Sequence, residues 1–179
     1  MWIYIIIILA IFIVSATYNR MVRAKNHVEE AESDIKVQLK RRFDLIPNLI
    51  ETVKGYASHE KEILEKITEL RSQALSTKDI EQSDKINKEI SKSIGNILVS
   101  FENYPELKAN QNFLALQTEL SDTENKIQAA RRFYNNVTKD FNILVESFPT
   151  NFFAKIFKYV RKPLLDITEE EAKNVTVKF

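Results

Sequence analysis

The sequence contains no cysteine. Disulfides, thiolate metal sites, cysteine nucleophiles and lipid attachment through sulfur are therefore excluded. Glycine occurs only at Gly55 and Gly95, and proline only at Pro47, Pro105, Pro149 and Pro163. Average chains carry about 7% glycine and 5% proline. So little punctuation excludes the many reversals of a β-sandwich, a barrel or a doubly wound sheet, and it permits a few long helices. An excess of either charge is missing too: 26 basic side chains face 25 acidic ones in 179 residues. That balance gives no global attraction to a phosphate backbone, so no nucleic-acid partner is expected. There is no Gly-rich phosphate loop and no G-x-S-x-G elbow, which leaves nucleotide and hydrolase readings without support.

Charge is absent altogether from residues 1–17, MWIYIIIILAIFIVSAT. The run falls within the roughly 17–25 residues that cross a bilayer. Trp2 and Tyr4 at one end and Tyr18 at the other suit the two interfaces. A cleaved signal peptide is the competing reading, since Val14-Ser15-Ala16 loosely fits a cleavage site. No basic residue precedes the run, however, and it exceeds the usual signal core of about 7–15 residues. A buried soluble helix fits poorly, because Ile5 to Val14 has no polar face. The reading adopted is a retained anchor over residues 1–18. Arg20, Arg23 and Lys25 follow the run and nothing basic precedes it, so the positive-inside bias puts the N-terminus outside and the bulk of the chain in the cytoplasm.

The remainder is periodic. Phe113, Leu116, Leu120, Thr123, Ile127, Ala130, Tyr134, Val137, Phe141, Leu144 and Phe148 alternate spacings of three and four, a narrow coiled-coil-like seam on one helix that Pro149 ends. Ile86, Ile90, Ile94, Ile97 and Phe101 mark another helix, with Asp79 and Gln82 placed as a capping box. Gly95 lies inside it, either to permit close packing or without consequence. Leu75–Lys78 and Asn103–Glu106 read as short connections. Val28, Ile35, Leu39, Phe43, Ile46, Ile50, Val53, Leu64, Ile67 and Leu70 form a further face, which Pro47 interrupts. Asp44 can N-cap a new helix there, so one long kinked helix or a hairpin meets at Pro47, and the absence of a loop favours the kink. The fold expected is all-α: the transmembrane helix, then an antiparallel bundle of three or four long helices over residues 19–148. If the first half of the long segment is left uncovered, Val28, Ile35 and Leu39 need a second copy of the chain.

Three stretches carry a resemblance. They are Asp34 to Leu49 (DIKVQLKRRFDLIPNL), Glu102 to Asn110 with Phe113 (ENYPELKAN), and Thr123 to Ile127 with Ala130 to Asn135 (TENKI and ARRFYN). In order and spacing the chain resembles the bacterial LemA family over about residues 17–160. The resemblance implies one N-terminal span and an antiparallel helical bundle, with no established enzymatic activity or cofactor. It also implies proximity to membrane zinc metalloproteases, alongside which family members are often encoded.

Arg41, Arg42, Asp44, Asn48, Asn110, Glu124, Asn125, Arg131 and Asn135 are dense around these apolar seams. They form either an inter-helix polar network that fixes register or a recognition patch for a partner. An enzyme is not expected, because a narrow bundle offers no pocket for an acid–base pair. Nor is a metal site: His59-Glu60-Lys61-Glu62-Ile63 has Ile63 where a zincin carries its second histidine, and a di-iron bundle needs acids where Tyr56 and Ala24 stand. No cofactor is expected.

In Asn151 to Lys162, Phe152, Phe153, Ile156, Phe157 and Val160 take one face of a helix, and Lys155, Lys158, Arg161 and Lys162 the other. This basic amphipathic helix either docks on the bundle end or lies in an anionic membrane interface. The residues after Pro163, with Glu169-Glu170-Glu171, are expected to be mobile, so residues 149–179 read as helix and tail. The sequons at Asn136 and Asn174 have no meaning on a cytoplasmic bacterial domain. Together these features point to a non-catalytic, single-pass scaffolding module with membrane lipid as one partner, self-association expected and a membrane metalloprotease as a further partner. A membrane-shaping homo-oligomer is the rival reading.

Overall fold

The computed structural model describes residues 2–55, 61–77 and 79–166, and only the backbone of Glu102. Described secondary structure is helical throughout: α1 (Trp2–Val53), α2 (Lys61–Ser76), α3 (Ile80–Ser100), one 3-10 turn (Phe101–Asn103), α4 (Pro105–Lys108), α5 (Gln111–Glu146) and α6 (Thr150–Ile156). A long apolar N-terminal helix followed by packed helices is the architecture expected. His59 and Glu60 of the histidine motif, Tyr56, Lys78, the acidic run at Glu169 and the sequon at Asn174 lie outside the described residues.

The chain divides into two compact units. One comprises residues 1–36 and 129–164, the other residues 37–128 and 165–179.

In the first unit, α1 begins with the apolar run. Its most apolar 18-residue window has a mean hydropathy of 2.1 and no buried residue. Among the described residues it is the one helix long and apolar enough to cross a membrane. Below the run, Met21, Val28, Ala31 and Ile35 are buried at spacings of seven, three and four. From α5, Tyr134, Phe141 and Leu144 are buried with them, as are the polar Arg131, Thr138 and Asn142. Val28, Ile35 and, in the other unit, Leu39 are thus covered within the chain, and the uncovered stripe that called for a second copy does not exist. Phe148, expected to close the α5 seam, is almost fully exposed beyond the helix end.

In the second unit α1 continues through Pro47 without a break and turns at Lys54-Gly55, so the reversal lies seven residues later than the proline suggested. Proline carries no N–H, so the carbonyl of Phe43, four residues back, loses its helical partner. Arg71 of α2 supplies a substitute: its Nε donates to that carbonyl at 2.9 Å. Asp44 caps nothing. It is an exposed residue within α1, paired with Lys40 one turn back. Besides the short α4 and the 3-10 turn, four helical segments share this unit: the end of α1, α2, α3 and the start of α5. Ile67, Leu70, Ile90, Ile94, Ile97, Phe101, Leu107, Phe113, Leu120 and Ile127 are buried. Asp79 caps α3 as its spacing predicts, its Oδ1 accepting from the Gln82 N–H at 2.8 Å. Around Gly95 nothing lies within 4 Å of an added Cβ, so this glycine is not there for close packing.

Candidate interaction surfaces

α1 presents Arg41 and Arg42 side by side, and the 100° step of the helix sends them to different neighbours. Arg42 points inward and is 1% exposed. Its Nη1 donates to Ser91 Oγ at 2.7 Å and to Glu124 Oε2 at 2.9 Å. Its Nη2 donates to the Asn87 carbonyl at 3.3 Å and to Asn87 Oδ1. Ser91 Oγ lies 3.0 Å from both Glu124 oxygens, and Asn87 Nδ2 donates to the Ser83 carbonyl at 2.8 Å. One guanidinium thus ties α1 to α3 and α5. A desolvated cation costs several kcal/mol unless paired, so the arrangement fixes which faces meet more than it adds net stability.

Arg41 is half-exposed. It donates to Glu119 through Nε at 3.0 Å and again through Nη2, and Asp122 lies 3.5 Å away. The hydrogen bond to Glu119 raises its pKa further above the ordinary arginine value. Asp122 also accepts from Lys126 at 2.8 Å. That bond, with the charges of Lys126 and Arg41, holds the carboxyl below the ordinary aspartate value.

The structure brings Arg42 and Glu124 together. Asn48 and Asn125 are exposed. Asn48, Glu51 and Thr52 of α1 and Asn112, Ala115, Leu116 and Glu119 of α5 line an open groove of about 540 Å³. Arg42 lies beside Glu124, while Asn48 to Thr52 share the groove with Asn112 to Glu119, so rising numbers on α1 meet falling numbers on α5 and the two run antiparallel here. Asn110 caps α5, its Oδ1 accepting from the N–H groups of Asn112 and Phe113. Arg131 is buried and Asn135 half-buried, both in the first unit. Glu119, Asp122, Asn87, Ser91 and Arg71 belong to these contacts too, and the three motif stretches contain none of them. The signal that finds them is a buried cation's need for acceptors, and for Arg71 a proline's need for a donor. Among the described residues no group of three or more His, Cys, Asp or Glu could hold a metal ion.

In the first unit the basic segment is folded differently from the expected helix. α6 ends at Ile156, and Lys158 takes a left-handed φ of 56°. Tyr159 N–H bonds the Ala154 carbonyl at 2.9 Å and Lys158 N–H the Lys155 carbonyl at 3.3 Å, a Schellman motif. Beyond it the chain returns along α5. Asn142 accepts from Lys162 N–H and donates to its carbonyl, both at 2.8 Å, and Tyr134 donates to the Pro163 carbonyl at 3.0 Å. Arg161 pairs with Glu146 at 3.2 Å. The single face through Lys162 is therefore broken. Phe152, Lys155, Ile156, Phe157 and Lys158 are exposed, and Phe153 and Lys162 half-buried.

The model of the LemA family matches residues 31–179, which contain all three motif stretches. The chain is 31% identical over 166 residues to Protein LemA of Metamycoplasma hominis, covering 92% of this chain and 75% of that protein. It is 22% identical over 170 residues to magnetosome protein MamQ 2 of Paramagnetospirillum magneticum, covering 80% of this chain and 62% of that protein, less than two thirds of its length. A family model spanning so much of the chain, with a relative above 30% identity, carries the conclusion that this protein belongs to the LemA family.

Proposed function

We propose that the chain is a membrane-anchored, non-catalytic interaction module. Its span is retained, its N-terminus lies outside, and its bundle offers protein-binding surface in the cytoplasm. The observation that carries this reading is the fate of the buried charge. Arg42 is spent on Asn87, Ser91 and Glu124 within the chain, so this buried cation acts as a brace. An exposed apolar helix supplies the anchor. That one of these relatives is named for its family and the other for the magnetosome accords with a structural task.

Partner contact then falls to exposed residues of the recognised stretches, above all Asn48 on the groove and Asn125. Recruitment of a membrane protease is one form of the role and self-association another, although burial of Val28 and Ile35 removes the apolar stripe that favoured a second copy. The test is photo-crosslinking in intact membranes from positions 48 and 125, followed by mass spectrometry. Adducts with a foreign protein support recruitment, and adducts with the same chain support self-association. Absence of any protein adduct from both positions refutes the reading.

A further inference from the structure

Within the first unit, one stretch of chain is more apolar at its surface than a water-facing segment ordinarily is. Phe148, Phe152, Ile156 and Val160 are 89%, 63%, 56% and 69% exposed. Single exposed apolar residues are unremarkable, but several along one short stretch of chain mark a binding surface. Phe152 and Ile156 stand one turn apart on α6, while Ala154 turns inward and is buried. The same stretch carries Lys155 and Lys158, both exposed, and among the described residues no ion pair engages either.

Its place in the unit identifies the occupant. The ring of Phe157 meets the ring of Tyr18 edge-on, with centroids 5.0 Å apart. Tyr18 directly follows the uncharged run. If that run crosses a bilayer, Tyr18 sits at headgroup depth, and the exposed cluster sits one ring away from it. Aromatic and aliphatic groups mixed with cations suit the boundary between acyl chains and anionic headgroups. A second copy suits the patch less well, because a two-fold self-contact brings the lysines of both copies together.

We propose that the segment from Phe148 to Val160 is a second membrane contact. Phe148, Phe152, Ile156 and Val160 enter the leaflet at which α1 emerges, and Lys155 and Lys158 meet anionic lipid. The first unit is thereby held to the bilayer at two points, and the second contact depends on lipid charge. This inference rests on the reading of α1 as a membrane span.

The test uses the full chain in vesicles of phosphatidylcholine with phosphatidylglycerol, doped with a lipid carrying a shallow nitroxide quencher. Trp2, the single tryptophan, reports on the span. The double variant Trp2→Phe/Phe152→Trp moves the indole to the patch, and Trp2→Phe/Val99→Trp moves it to the exposed face of α3. The expected result is blue-shifted, lipid-quenched emission from position 152 and water-like, unquenched emission from position 99. Adding Lys155→Gln and Lys158→Gln lowers the inserted-to-free ratio of the patch by about 25-fold, at about fivefold per cation. Quenching of Trp2 without quenching at position 152 overturns the second contact and leaves the anchor standing. Blue-shifted emission at position 152 that escapes the lipid quencher and grows with protein density assigns the patch to a second copy, which also overturns it. Absence of quenching at Trp2 overturns anchor and patch together.

Discussion

Pro47 lies inside α1, and α1 tolerates it because Arg71 bonds the carbonyl that the proline abandons. A buried carbonyl left without a partner costs about 1–3 kcal/mol. Arg71→Met is therefore expected to destabilise the chain by about 2 kcal/mol, a fall in Tm of about 4–8 °C at this size. Pro47→Ala restores an N–H to bond Phe43, so the same Arg71→Met change made beside it is expected to cost little. Thermal melts of the four chains in detergent, followed by circular dichroism, measure the coupling; an equal cost with and without the proline defeats the account. Asp122 offers a test in pH. Its hydrogen bond to Lys126 and the charge of Arg41 keep its folded pKa below the unfolded value of about 4. The unfolded chain thus binds the proton more tightly. The contribution of Asp122 is complete above the unfolded pKa and is lost as pH falls through the folded one. Melts of the parent chain and of Asp122→Asn are expected to draw together on acidification, and a gap between them that is constant with pH contradicts this.

Helices as elements were legible from spacing, because an apolar seam at three-four intervals has few alternatives. Which residue fills each seam position was less so. Between Ile127 and Tyr134 either Ala130 or Arg131 keeps the spacing, and between Tyr134 and Phe141 either Val137 or Thr138 does. Hydrophobic spacing favours the apolar member each time, yet Arg131 and Thr138 are the buried ones. Ile86 and Asn87 repeat the case on α3, where Asn87 is buried to receive Arg42. Hydrophobic periodicity is blind to a polar residue whose bonds are satisfied from another helix. The end of α6 was hidden for a different reason: glycine is the usual left-handed residue after a helix, and here the position holds Lys158. A lysine in that conformation costs roughly 1 kcal/mol or more against glycine. Lys158→Gly is accordingly expected to raise stability by about 1 kcal/mol. Gly95→Ala is expected to do the same by about 1 kcal/mol, since the glycine faces open space within α3. Urea titrations of the full chain check both; a loss of stability from Gly95→Ala means that α3 packs more closely there than it stands in this structure.

At the scale of the molecule, sequence order conceals the two units. Two of their three boundaries, at residues 36/37 and 128/129, fall within α1 and α5, where no glycine, proline or polar loop marks them. Membership of the family was legible because its three stretches are long and ordered. Their division of labour was not, since only three-dimensional contact separates Arg42, a brace, from Asn48, on an open groove. Orientation in a membrane is a property of the whole chain, and the positive-inside argument rests on Arg20, Arg23 and Lys25 alone. The chain's lack of cysteine makes it testable without background. Ser72 is exposed on α2, within the second unit. In the single variant Ser72→Cys, a membrane-impermeant maleimide is expected to label the thiol only after the cells are opened. Trp2→Cys, at the other end of the apolar run, is expected to label in intact cells. Labelling of position 72 in intact cells with position 2 protected inverts the orientation, and labelling of both in intact cells means that the run does not span.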